Sequence, residues 1–254
     1  MKTIAVANQK GGVGKTTTSV NLAACLAAMG RSILLVDMDP QGNATMSSGV
    51  DKQAVELSCY ELLIDKRPLN DVAVPAADNG YDIVPANRDL TAADIKLLDM
   101  PHREKQLQAA LAVGFQYDFV IIDCPPSLSM LTVNALVASD SVLITMQCEY
   151  FALEGLSALL NTIRRVSETV NSKLAVEGIL RTMYDPRNSL TGEVSAQLHK
   201  HFGDLVYRTV IPRNVRLAEA PSHGQPALHY DRLSTGARAY AALAGEFIKR
   251  QSPR

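Results

Sequence analysis

Short, almost wholly apolar runs alternate along this chain with longer stretches in which apolar residues recur every three or four positions. The runs at 4–8, 32–37, 81–84, 119–123, 141–146, 175–182 and 206–211 predict strands. The periodic stretches at 16–29, 104–113, 152–170, 192–201 and 234–250 predict helices, the first of them stopped by Gly30. Before Asp37 the residues Ile33, Leu34, Leu35 and Val36 show no alternation, the pattern of a strand buried on both faces. Strand followed by helix, again and again, predicts a single-domain α/β fold with a mostly parallel, doubly wound sheet flanked by helices. The stretch 51–79 carries Pro68 and Pro75 with weak periodicity, so it reads as short helices and loops within that domain. One domain is expected over 1–250, with a disordered tail at 251–254.

Composition narrows the class without changing that picture. With 254 residues, 47% of them apolar, the chain can bury a large core. Its net charge of −1 means that any contact with nucleic acid must come from a local cluster of Arg and Lys. Cys25, Cys59, Cys124 and Cys148 form no C-x-x-C pair and have no histidine at zinc-ligand spacing, which fits reduced thiols among apolar neighbours in a cytosolic protein. The short apolar run before Asn8 and Gln9 is too little for a signal peptide, and no stretch approaches the roughly 18 apolar residues that a membrane span needs. A soluble protein with no membrane partner is expected.

The chemistry concentrates at NQKGGVGKTTT, residues 8–18, between the first strand and the first helix. Gly11, Gly12 and Gly14 supply a turn whose backbone amides face inward, and the following helix adds the positive end of its dipole; together they cradle polyphosphate. Lys15 then reaches the β- and γ-phosphates, the Thr16 hydroxyl ligates Mg²⁺, and Thr17 serves the α-phosphate. The usual pattern requires a glycine five residues before Gly14, where this chain has Gln9. Two carboxylate sites follow strands, where an open parallel sheet gathers its ligands. Asp37 and Asp39 precede a Pro-Gln-Gly turn; Asp123 ends an apolar strand ahead of Pro125 and Pro126, as a carboxylate holding Mg²⁺ through water does. Taken alone, Asp37 or Asp39 also suits a helix or turn cap, and Asp123 a strand-terminal residue satisfied by local backbone.

Lys10-Gly11-Gly12-Val13-Gly14-Lys15-Thr16 resembles the deviant Walker A motif of the ParA and MinD family of P-loop ATPases. The resemblance implies an ATP- and Mg²⁺-dependent ATPase, slow and stimulated by a partner. It implies that Lys10 crosses a homodimer interface to the partner's phosphates, that Asp39 orients the attacking water and that Asp37 supports the Mg²⁺ shell. The segment 147–156 is similar to the family's stretch near that interface. IPRNVRLAEAPSHGQP, residues 211–226, closely resembles the Soj-type ParA pattern, in which the positions of Pro212 and Asn214 frame adenine. With residues 182–188 the likeness runs from Lys2 to about Lys249. Arg187 and Arg216 match arginines that give Soj-type proteins non-specific DNA binding. The family pattern further implies a ParB-like centromere-binding partner and a cytoplasmic, nucleoid-associated protein that moves chromosome, plasmid or protein cargo.

Charge alone gives DNA binding less support. From Arg181 to Arg216 there are six cations (Arg181, Arg187, Lys200, Arg208, Arg213, Arg216) against three carboxylates (Asp185, Glu193, Asp204), a balance that a mixed, solvated surface also has. Other readings of the same scaffold ask for features not evident here. A membrane-associated MinD-like ATPase needs a C-terminal amphipathic helix with basic and bulky apolar faces, whereas Tyr240, Leu243, Phe247 and Ile248 are spaced to dock on the domain. An iron–sulfur reductase needs cluster cysteines, and the four here lack that spacing. No helix-turn-helix pattern precedes the first strand, as it does in the larger plasmid type.

Overall fold

A computed structural model describes residues 1–112 and 116–251. Eight strands form one sheet: β1 Lys2–Ala7, β2 Ile33–Asp37, β3 Val74–Pro75, β4 Asp82–Val84, β5 Phe119–Asp123, β6 Ser141–Gln147, β7 Ala175–Tyr184 and β8 Val206–Pro212. The order across the sheet is β3-β4-β2-β5-β1-β6-β7-β8, and every pairing is parallel except β3 with β4. The strand not anticipated from the sequence, β3, is two residues long and includes Pro75; a proline without an N–H is tolerated at such an edge.

The helices are α1 Lys15–Ala28, α2 Asn43–Ser47, α3 Cys59–Leu63, α4 Leu69–Val72, α5 Leu90–Lys96, α6 Gln106–Leu111, α7 Met130–Ala138, α8 Ala152–Thr169, α9 Ser189–Phe202, α10 Val215–Glu219, α11 Ala227–Tyr230 and α12 Thr235–Gln251. They cover both faces of the sheet. Alternate strand residues point to opposite sides: Ala5, Leu34, Val36, Val120 and Ile122 enter a core closed by helices including α3, α5, α7 and α8. Ile4, Val6, Leu35 and Ile121 enter a second core closed by α1 and α12.

Most expected elements lie within one or two residues of their predicted ends, and the segment 51–79 holds short helices and loops. α7 was not anticipated, because Leu131, Thr132, Asn134, Ala135, Leu136 and Val137 are all buried and leave no polar face for a period to show. Of the helix expected at 104–113, Arg103–Lys105 is a 3₁₀ turn and α6 ends at Leu111; residue 113 lies outside the described residues. The expected tail needs one correction: Gln251 closes α12 and its amide bonds Glu177 at 2.7 Å, while 252–254 lie outside the described residues. α12 docks through Ala237, Tyr240, Leu243, Ala244 and Phe247, all buried, and no helix among the described residues is long and apolar enough to cross a membrane.

Candidate active site

The glycine loop expected to hold phosphate leaves the C-terminal end of β1, near the middle of the sheet. Gly12 and Gly14 have φ of 71° and 80°, left-handed torsions that a side chain disfavours, and Gly14 is the N-cap of α1. Two side chains brace the loop. Asn8 donates to the Thr145 carbonyl at 2.7 Å and accepts the Lys10 amide at 2.9 Å, and Thr182 on β7 donates its hydroxyl to the Val13 carbonyl at 2.8 Å. The Lys15 ammonium turns back over the loop and donates to the Lys10 carbonyl at 3.1 Å. Burial lowers the Lys15 pKa, while the Asp123 and Asp39 charges oppose that shift.

Parallel register delivers the carboxylates. Asp37 and Asp123 are partners on the adjacent strands β2 and β5, so both stand at the same end of the sheet as the loop. Asp123 is fully buried and accepts hydroxyls from Thr16 at 2.7 Å and Ser19 at 2.8 Å. Asp37 accepts the Asp39 amide at 3.1 Å, and the Thr45 amide and hydroxyl at 2.8 and 2.7 Å; it thereby pins the turn that carries Asp39. Burial pushes both carboxyls up, and for Asp123 the Asp37 charge adds to the shift. Two buried carboxylates at one strand end, with a threonine hydroxyl beside them, form a donor set of oxygen only, the chemistry of a hard divalent cation. Among the described residues no three His, Cys, Asp or Glu form a cage. The paired carboxylates suit Mg²⁺, which is usually held by one or two carboxylates together with phosphates. Asp39 is buried and accepts the Gln41 amide at 2.9 Å.

Beside the loop a cavity of about 190 Å³ is lined by Thr17, Thr182, Met183, Pro212, Asn214 and Tyr240, among others. Pro212 and Asn214 therefore do lie together against the phosphate loop. Asn214 is held at both ends of its amide: its oxygen accepts the Arg216 backbone N–H at 2.9 Å, and its nitrogen donates to Thr235 at 2.7 Å. Met183, with φ of 49°, takes a left-handed backbone at the cavity wall.

Lys10 is half-exposed and ion-paired with Glu149, in the 147–156 segment singled out from the sequence. The next two residues, Tyr150 and Phe151, are 74% and 72% exposed and packed edge-on, with ring centroids 5.0 Å apart. Of the six cations counted between 181 and 216, Arg181 does not belong to a surface patch. It is buried and bonds Ser195 and the carbonyls of Tyr207 and Arg208. Ser19, Thr45, Thr182, Met183 and Glu149 were not recognised as site residues. Of these, Ser19 stands one helical turn beyond Lys15, and Glu149, Thr182 and Met183 lie in the segments 147–156 and 182–188 marked by the family likeness; only Thr45 had no such signal.

Comparison with known proteins agrees with this geometry. The family model for an AAA domain matches residues 1–176. The sporulation initiation inhibitor protein Soj of Bacillus subtilis is 54% identical over 96% of this chain and 97% of its own length. The chromosome partitioning protein ParA of Caulobacter vibrioides is 47% identical over 100% of this chain and 96% of its own. A solved structure from Mycobacterium smegmatis, named cobyrinic acid a,c-diamide synthase and holding an ATP analog and magnesium, is 37% identical with a TM-score of 0.85, covering 98% of this chain and 95% of that one. The synthase name belongs to that protein, and both partitioning relatives are nearer in sequence. A glycine loop carrying Lys10 and Lys15 on this sheet, in a chain 54% and 47% identical to Soj and ParA over nearly its whole length, leaves one assignment: the chain belongs to the ParA/Soj family of partitioning ATPases.

Proposed function

We propose that this ATPase binds ATP with Mg²⁺ at the β1–α1 loop, closes into a homodimer, holds DNA without sequence preference in that state, and releases it on hydrolysis. The observation that carries the nucleotide part is the pairing of Thr16 with buried Asp123 directly below a left-handed glycine loop that contains buried Lys15. Lys15 and the loop amides bind the phosphates, and Pro212 and Asn214 take the adenine in the adjoining cavity. Thr16 and Asp123 hold Mg²⁺, and Asp37 supports them by fixing the 38–45 turn. When bound, Mg²⁺ neutralises charge on the β- and γ-phosphates. Asp39 orients water for in-line attack; phosphoryl transfer asks mainly for positioning and charge, not for covalent help.

Lys10 leaves Glu149 for the phosphates of a second subunit. Both partners are about half exposed, so the pair costs little to break. Tyr150 and Phe151, which follow Glu149 in the chain and are exposed, are covered on closure. Arg187 and Arg216 contact DNA phosphates, and dimerisation doubles a weak patch into an effective one. A ParB-like partner accelerates hydrolysis and with it release, so the protein sits on the nucleoid only for the ATP-bound part of its cycle and in this way moves DNA cargo. The test is co-sedimentation with DNA under ATP, ADP and no nucleotide across a salt series. Binding that depends on ATP and falls steeply with salt is expected, and an Asp39→Ala variant stays on DNA with ATP. Binding indifferent to nucleotide, or wild-type turnover in that variant, removes the reading.

A further inference from the structure

The two arginines on which the DNA surface rests are not free cations. Arg187 is 87% exposed, yet its guanidinium is held in a two-point bond by Asp185, with Nε and Nη2 at 2.9 and 2.8 Å from the two carboxylate oxygens. Arg216 lies 2.7 Å from Glu219 and 3.3 Å from Asp231. The Arg187 hydrogen bonds come first among the causes that hold the Asp185 carboxyl down at about 2, and Arg213 adds its charge. Glu219 is likewise held below its ordinary value, chiefly by its bond to Arg216. Each carboxylate is therefore ionised and committed to an arginine at neutral pH. A phosphate oxygen approaching either arginine meets a guanidinium already paired, with a carboxylate of its own sign beside it.

We propose, resting on the DNA-binding reading above, that Asp185 and Glu219, with Asp231, are built-in competitors of the DNA phosphates that weaken and limit the grip of Arg187 and Arg216. At Arg187 the geometry favours competition over scaffolding, whereas Arg216 also ties α10 to Asp231 beyond α11. Among the described residues the Arg187 guanidinium bonds only Asp185, two positions away in the same turn, so the pair ties no distant elements together. An exposed ion pair of this kind resists displacement by about one-and-a-half- to fivefold in an equilibrium constant, and a two-point bond lies toward the upper end. Two copies acting in one DNA-bound dimer multiply that factor. A partitioning ATPase held too tightly would not exchange between sites on DNA, and a carboxylate beside each arginine keeps the contact weak without removing it.

The test uses the full chain with ATP and Mg²⁺, a labelled DNA duplex of arbitrary sequence, and fluorescence anisotropy across a salt series. The proteins are wild type, Asp185→Asn, Glu219→Gln, Arg187→Ala and the Asp185→Asn/Arg187→Ala double variant. Asparagine at 185 keeps the oxygen that accepts the Arg187 backbone amide at 3.0 Å, so the turn is retained. Melting curves check that each variant is folded, and Glu219→Gln serves as an independent second probe. The expected result is DNA affinity raised about two- to fivefold per engaged copy in Asp185→Asn. The salt slope steepens by up to about 0.9 for each uncovered charge, and most of the gain disappears in the Arg187→Ala background. Unchanged or weaker binding in both single carboxylate variants overturns the proposal while leaving DNA binding itself standing, as does a gain that persists in full without Arg187. Failure of wild type and every variant to bind at low salt overturns the DNA reading and this inference with it.

Discussion

Replacing Thr182 with valine removes one hydroxyl and keeps the shape of the side chain. Thr182 is 2% exposed, and its hydroxyl donates to the carbonyl of Val13, itself 1% exposed. Its methyl and Cβ lie 3.6 Å from where a Cβ on Gly14 would stand, so the same residue packs against the glycine that opens α1. A buried carbonyl deprived of its donor costs about 1–3 kcal/mol. In a chain of this size that lowers the melting temperature by about 2–4 °C for each kcal/mol. Nucleotide needs the same loop conformation, so up to the whole of that energy reappears in binding, where it amounts to about 5- to 160-fold in affinity. Calorimetric titration with ADP and Mg²⁺, beside melting curves with and without nucleotide, reads both effects. Thr182→Ser keeps the donor and is expected to recover most of the affinity while losing the packing of the methyl. If Thr182→Val melts and binds as wild type, β7 does not position the phosphate loop and the reasoning is wrong.

Lys15→Gln is expected to lose nucleotide binding, because a buried ammonium over the loop is replaced by a neutral amide; unchanged affinity by titration would remove the phosphate assignment. Lys10→Ala is expected to keep nucleotide binding by the monomer but to lose ATP-dependent dimers in light scattering, and an intact dimer would show that this lysine does not act across the interface. Glu246 gives a pH test away from the site. Burial alone pushes its carboxyl up, but the Thr209 and Arg208 amides, the Thr209 hydroxyl and Arg250 outweigh it and hold the group below its ordinary 4.5. A carboxylate held down when folded stabilises above its unfolded pKa, and that contribution is lost as pH falls through the folded value. Glu246→Gln should therefore be less stable than wild type above about pH 4.5, with the gap closing as the solution is acidified; a gap that stays constant with pH would refute the assignment.

Much of this was written in local residue order. Gly12, Gly14, Lys15 and Thr16 are neighbours whose torsional freedom and functional groups belong to their residue types, so a glycine loop between a strand and a helix was legible at once. Apolar runs without alternation predicted a parallel sheet covered on both faces, and aspartates closing two of those runs predicted carboxylates at one end of it. α7 escaped because a helix buried all round has no polar face to mark its period. The basic stretch was overcounted for a related reason: sequence shows a charge but not whether it is buried, as Arg181 is, or already paired, as Arg187 and Arg216 are.

The sequence by itself determined the nucleotide chemistry, the order of strands and helices and the family pattern, because torsional preference, hydrophobic period and motif spacing act over a few residues. Only the tertiary structure decided which side chains hold those parts in place. Thr182 meets Val13 across 169 positions and Ser19 meets Asp123 across 104. Contacts of that span follow from how strands register and helices pack, and hydrogen bonds made there carry no trace in the local order of residues.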